Sequence, residues 1–296
     1  KVKAVQARGG KTVLVGDAYD DAYQHAIKLA KEKKLEFIHP YDHPDTIAGQ
    51  GTIGMEILRQ HNDGIHAVFV PVGGGGLIAG VGAYIKYLRP KTKIIGVEPE
   101  DAPSMAEALR RNRRVVLDNV GIFADGVAVK QVGRETFRIA KLCVDDVICV
   151  STDEICAAIK DIFDDTRSIM EPAGALAVAG MKKYVANEQI RDQTLVVINS
   201  GANMNFDRLR HVSERAELGE KREALFAATI PERPGSFRTF CKTIGKRGIT
   251  EFNYRYSDDN DAQVFAGVKL ANGLKEKEEL LRKLKDNGYP VVDMTD

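Results

Sequence analysis

The chain has 296 residues, a length that suits two domains, with 44% hydrophobic and 29% charged residues. Lys+Arg 43 against Asp+Glu 42 leaves a formal charge of +1, which excludes a general nucleic-acid or membrane-surface binder. No apolar run is long enough to span a bilayer, Lys1–Gly10 has no apolar signal core, and Cys143, Cys149, Cys156 and Cys241 show neither metal-ligand nor disulfide spacing, so reduced thiols in a cytoplasmic or organellar interior are expected.

The first two thirds alternate short β-branched runs with amphipathic runs. Strands are predicted at Thr12–Gly16, Leu35–His39, Ala67–Val72, Lys93–Glu98, Asp146–Val150 and Leu195–Asn199. Between them helices are predicted from an Asp17 cap to about Lys33, then over Asp45–Gln60, Leu77–Leu88, Pro103–Arg111, Val132–Leu142, Asp153–Asp164 and Pro172–Val185. Strands apolar on both faces and separated by helices indicate an α/β fold with a parallel sheet covered on both sides.

The pattern changes after Asn203. A polar helix over Arg208–Arg222 has few core positions and reads as a connector. Strand Ala224–Ile230, helix Ser236–Lys246, strands Ile249–Tyr256 and Gln263–Leu270 around a polar turn Ser257–Asp261, helix Leu274–Asn287 and strand Pro290–Met294 follow. That order, β-α-β-β-α-β, is ferredoxin-like. The expected division is a core over 1–212, a connector over 213–222 and a C-terminal α+β domain over 223–296.

The sharpest chemical feature is Gly73-Gly74-Gly75-Gly76 between a strand and the helix opening at Leu77. Consecutive glycines let successive N–H groups point into one concavity, and the helix N-terminus adds positive dipole, so the run suits a phosphate. One or two glycines would suffice for a plain turn. Gly74–Ala79 also fits G-x-G-x-x-A, with Glu98 closing the next strand, so a dinucleotide fingerprint competes for the same residues.

Asn199-Ser200-Gly201-Ala202-Asn203 lies at another strand C-terminus, the edge where open parallel sheets bind ligands. Alone it reads equally as an N-capping turn. Glu171-Pro172-Ala173-Gly174-Ala175 offers a carboxylate and small residues at a helix start, and alone it too reads as structure. Of the six histidines only His39 and His43 stand four apart, in His39-Pro40-Tyr41-Asp42-His43, and with no acidic cluster on one face no metal site is expected.

Taken in order, AGQGT (48–52), PVGGGGL (71–77), ADGVAVK (124–130), EPAGALA (171–177) and SGANMNF (200–206) resemble the pyridoxal-phosphate enzymes of the tryptophan-synthase-β fold, most nearly the biosynthetic threonine deaminases. SERAELGEKREALFAATIPERPGSFRTFC (213–241) and ITEFNYRY (249–256) resemble that family's connector and first ACT-like regulatory subdomain. The resemblance implies that Gly73, Gly74, Gly75, Gly76 and Leu77 bind the phosphate of pyridoxal 5′-phosphate. It implies that Ser200 hydrogen-bonds the pyridine nitrogen, that Gly126 lies against the ring, and that Glu171 is a carboxylate beside it. A hydroxyl leaves the ring nitrogen unprotonated, which weakens the electron sink and favours loss of the β-hydroxyl over transamination.

The implied activity is conversion of threonine, or serine, to the 2-oxo acid and ammonia in isoleucine biosynthesis, with isoleucine and valine as opposed effectors and a homotetramer as the assembly. Gly235, Ser236 and Phe237 would hold the effector at a helix start. The implied location is the cytoplasm or an organelle interior such as a plastid.

Two motifs of the family are absent. No Ser-x-Lys-x-Arg occurs, so the Schiff-base lysine is missing, and so is the S-x-G-N-H substrate loop. Lys1, Lys3 and Lys11 do not match the lysine motif. The chain is therefore expected to be a fragment, inactive alone, that opens inside the family's catalytic domain and closes after one ACT-like unit. Where some relatives hold a divalent ion after G-V-E-P, Glu98 matches but Ser104 stands at the second acidic position. Two alternatives remain at this point: a non-catalytic amino-acid-binding relic, and a nicotinamide-dependent enzyme.

Overall fold

The computed structural model of the chain describes residues 2–16, 19–256 and 261–295. Lys1, the expected cap Asp17 and most of the expected turn at 257–260 lie outside the described residues.

Helices α1 (Val2–Ala7), α2 (Tyr19–Lys33) and α3 (Pro44–Gln60) precede strand β1 (Ala67–Pro71). Then come α4 (Gly76–Leu88), β2 (Lys93–Pro99), α5 (Ser104–Arg110), α6 (Arg134–Cys143), β3 (Asp146–Val150), α7 (Thr152–Thr166), α8 (Pro172–Glu188) and β4 (Leu195–Val197). The four strands form a parallel sheet in the order β3-β2-β1-β4.

Strand β1 is buried on both faces, which explains its unbroken apolar sequence. Ala67 and Phe69 pack with α7 and α8, whereas Val68 and Val70 pack against the α4–α6 side. Burying Phe69 alone contributes on the order of 2–3 kcal/mol. Helices α3 and α4 meet through glycines: a Cβ on Gly80 would stand 2.7 Å from the Gly51 nitrogen, and one on Gly51 would stand 3.2 Å from the Gly80 oxygen. Helix α7 starts in a capping box, Ser151 accepting from the Glu154 N–H while Glu154 accepts from the Ser151 N–H.

Neither Thr12–Gly16 nor Leu35–His39 forms the expected strand, and neither joins a sheet among the described residues. Val13, Leu14, Leu35 and Ile38 are instead exposed. Strand propensity expresses packing on a neighbouring strand and a half-buried face, and these segments have neither.

Helix α9 (Arg208–Gly219) leads into β5 (Glu223–Pro231), α10 (Ser236–Ile244), β6 (Ile249–Tyr256), β7 (Asp261–Lys269), α11 (Gly273–Asp286) and β8 (Val291–Asp293). This second sheet is antiparallel in the order β6-β7-β5-β8, the ferredoxin-like arrangement. Phe240 and Ile244 of α10 and Leu280 and Leu284 of α11 cover its apolar face.

Helix α9 packs more closely than its polar composition suggests. Val212 and Ala216 are buried against α7. Arg215 pairs with Asp153, and Lys160 reaches Glu220 at 2.9 Å and Glu217 at 3.3 Å. A Cβ on Gly219 would strike the Asp153 carbonyl and come 3.1 Å from Ala157 Cβ. Charge pairing and a small-residue contact replace the wide apolar stripe expected of a packed helix.

Candidate functional site

Parallel strands deliver their following loops to one edge of the sheet. The loop after β1 carries the four glycines, and the segment after β4 carries Ser200. Gly75, with φ 93°, is the N-cap of α4 and supplies no side-chain cap. A left-handed residue there turns the chain sharply from strand to helix, a conformation that favours glycine. The first N–H groups of α4 lack intrahelical partners and face this turn.

Close approaches bring the other segments in. A Cβ on Gly73 would stand 2.9 Å from Val127 Cα, and one on Gly126 would stand 2.9 Å from Ala173 Cβ. Glu171 donates its backbone N–H to the Gly201 carbonyl at 3.2 Å. A side chain on Gly174 would collide with the Gly201 carbonyl, and one on Gly201 with Glu171 Oε1. The start of α8 and the Ser200 loop therefore interlock, which sets Ser200 relative to Glu171.

Gly73, Gly74, Gly75, Gly76, Leu77, Gly126, Glu171 and Ser200 all line one cavity of about 340 Å³. Pro40, Tyr41, Gln50, Pro71, Val127 and Ala173 complete its wall. Gln50 belongs to the AGQGT segment. Pro40 and Tyr41 carry no motif, and the turn-forming run Pro40-Tyr41-Asp42 is the only sequence cue to their place in the wall. A neighbouring cavity of about 530 Å³ shares Tyr41 and is lined also by His39, Asp42, Asp125, Lys130 and Gly133.

Glu98, next to last in β2, is fully buried. It accepts from the Met105 and Ala106 N–H groups at 2.8 Å each and from Ser104 Oγ at 3.3 Å, anchoring the start of α5. Burial pushes its carboxyl up to about 7 despite these donors. A carboxylate turned into the core is not offered to a ribose, so the dinucleotide fingerprint loses its acidic partner.

The effector candidates Gly235, Ser236 and Phe237 lie at the start of α10, where Gly235 has φ 90° and caps the helix. The Phe237 ring stands edge-on to Phe252 at 5.4 Å and to Tyr254 at 5.9 Å between centroids. All four cysteines are free thiols. No described helix is long and apolar enough to cross a membrane.

Comparison with known proteins finds two family models. Residues 1–201 match the pyridoxal-phosphate-dependent enzyme family, and residues 214–296 match the C-terminal regulatory domain of threonine dehydratase. The whole chain is 56% identical to 59% of the biosynthetic L-threonine dehydratase IlvA of Burkholderia multivorans. It is 52% identical to 50% of the chloroplastic biosynthetic threonine dehydratase of Arabidopsis thaliana. The processed form of threonine deaminase isoform 2 from Solanum lycopersicum superposes with a TM-score of 0.70 at 50% identity, over 73% of this chain and 62% of that one. The chain thus spans between half and three fifths of the length of these curated relatives.

Proposed function

The chain belongs to the pyridoxal-phosphate-dependent enzyme family, and from that premise we propose that it forms the cofactor-holding core and a regulatory domain of a threonine ammonia-lyase, which converts threonine to 2-oxobutanoate and ammonia for isoleucine biosynthesis. The convergence of the tetraglycine, Gly126, Glu171 and Ser200 on one cavity carries this reading.

These residues fit the group. The four glycines line the cavity, and the uncapped start of α4 presents N–H donors and positive dipole to a phosphate. Gly73–Leu77 would hold the phosphate through backbone N–H groups. Gly126 would leave room for the pyridine ring, and the Ser200 hydroxyl would donate to its nitrogen. Glu171, tied to the Gly201 loop, would offer a carboxylate beside the ring. When bound, the cofactor withdraws electrons from the substrate α-carbon. Ser200 keeps that withdrawal moderate because it supplies no charge, which favours departure of the β-hydroxyl.

Among the described residues no lysine lines the cavity. In our reading the lysine that removes the α-proton comes from polypeptide outside this sequence, and the chain alone does not turn over threonine. Residues 1–212 would be the partial core, 213–222 the connector and 223–296 the regulatory domain. Isoleucine and valine would bind the last of these near Gly235–Phe237, in a homo-oligomer located in the cytoplasm or an organelle interior.

Equilibrium dialysis of the chain against pyridoxal 5′-phosphate tests the site. Gly75→Val adds a left-handed strain of about 1–2 kcal/mol. Its Cβ would also stand 2.7 Å from Met105 Cε and 3.0 Å from Thr136. Affinity should fall roughly 100-fold, a loss of about 2.7 kcal/mol. Ser200→Ala should cost about fivefold, the worth of one hydrogen bond. Unchanged binding in Gly75→Val would remove the tetraglycine from the site.

A further inference from the structure

The glycine loop is held by a bracket that begins in the segment before α3. Helix α6 lacks a side-chain cap of its own, since its N-cap is Gly133. Asp42, more than ninety residues away in sequence, supplies one. Its Oδ2 accepts from the Arg134 N–H at 2.8 Å, and its Oδ1 accepts from the Glu135 and Thr136 N–H groups at 2.8 and 3.2 Å. The start of α6 in turn grips the glycine loop at one atom. The Gly74 carbonyl accepts from the Gly133 N–H at 3.1 Å and from Thr136 Oγ1 at 2.7 Å.

The same bracket covers the loop. His39 Nδ1 accepts from the Tyr41 and Asp42 N–H groups at 3.2 and 2.9 Å, folding the segment into a tight turn. That turn lays the Tyr41 ring on Gly74, where a Cβ would run into it. It also sets Tyr41 Cβ 2.9 Å from where a Cβ of Gly76 would stand.

We propose that Asp42 and Thr136 are positioning residues for the cofactor phosphate: Asp42 fixes the start of α6, and Thr136 with Gly133 then fixes the Gly74 carbonyl, so that the N–H groups of the tetraglycine stay aimed into the cavity. The inference rests on the reading of that cavity as the pyridoxal-phosphate site. Three backbone donors at the start of α6 engage both oxygens of Asp42, so its carboxylate is directed at the helix it fixes. Rotation of the Gly74 peptide would reorient the N–H of Gly75, and the two donors on the Gly74 oxygen resist that rotation.

The test compares pyridoxal 5′-phosphate with pyridoxal, which lacks the phosphate, by equilibrium dialysis against the full chain. The variants are Asp42→Ala, Thr136→Val, Thr136→Ser and, as a reference, Gly75→Val. Asp42→Ala and Thr136→Val should weaken pyridoxal 5′-phosphate about tenfold, the equivalent of one or two hydrogen bonds, with pyridoxal unchanged. Thr136→Ser, which keeps the hydroxyl, should restore the preference. A purely structural role would lower the melting temperature but move both ligands alike. If Asp42→Ala fails to fold, the Thr136 pair decides.

A preference lost in Gly75→Val but intact in both Asp42→Ala and Thr136→Val overturns the positioning role and leaves the cofactor reading standing. A wild-type chain that does not distinguish the two ligands overturns the cofactor reading, and the positioning role with it.

Discussion

Glu98 gives the chain a pH-dependent stability whose sign can be worked from its surroundings. Its carboxyl is raised from 4.5 to about 7, chiefly because burial disfavours the charged form. Between those values the folded chain keeps the proton while the unfolded chain releases it. Stability is therefore fully present below pH 4.5, falls as pH rises, and has lost the whole contribution a little above pH 7. The shift corresponds to about 3 kcal/mol. Glu98→Gln removes the titration. The amide also turns an N–H group toward the Ala106 or Met105 donor, a fixed cost of about 1–2 kcal/mol at every pH. The diagnostic quantity is thus the slope of the difference, not its value at one pH. Urea denaturation of both proteins from pH 5 to 8 should show the variant gaining on the wild type by about 2–3 kcal/mol across the range. A difference independent of pH would refute the argument. A difference of opposite slope would mean that the three donors on Glu98 outweigh its burial.

Three further outcomes are expected. Gly219→Ala should lower stability by about 1–2 kcal/mol in urea denaturation, although alanine favours helix, because its Cβ meets Asp153 and Ala157 of α7; a stabilised variant would show that α9 packs loosely. The chain alone, supplied with pyridoxal 5′-phosphate and threonine, should release no 2-oxobutanoate, and turnover at ordinary lyase rates of about 1 s⁻¹ or more would mean that a lysine of this chain serves. Calorimetric titration of the full chain with isoleucine should give saturable heat that Phe237→Ala abolishes, and its absence would end the effector assignment at the start of α10.

Much of the fold and site is legible in the residues themselves. Ala67–Val70 announces a strand covered on both faces, and it is buried throughout. The tetraglycine and Ser200 can be placed at one edge once their strands are known to be parallel. Thr12–Gly16 and Leu35–His39 have equally good strand composition, yet a strand exists only where another strand pairs with it, and local sequence does not specify that partner. Arg208–Gly219 misleads in the other direction. Beside the buried Val212 and Ala216, its packing on α7 runs through Arg215, Glu217 and the following Glu220, residue types that ordinarily mark a solvated face. The Asp42 bracket is invisible for a third reason. Gly133 shows that α6 lacks a cap, but nothing nearby shows which distant acceptor provides one.

The register of the parallel sheet has a consequence for how the molecule comes into being. Ala67 of β1 lies beside Leu195 of β4, 128 residues further along the chain. At a synthesis rate of about 5–20 residues per second, β1 waits roughly 6–25 s for that neighbour. During the wait the glycine turn and the α3–α4 pair can assemble, but the Phe69 edge of the sheet stays open. Ser200 leaves the ribosome last among the cavity's residues, so the cavity closes only when nearly all of the core has been made. Nascent chains arrested between β1 and β4 should accordingly expose the β1 edge, the stretch of the core that most needs protection from association with other chains.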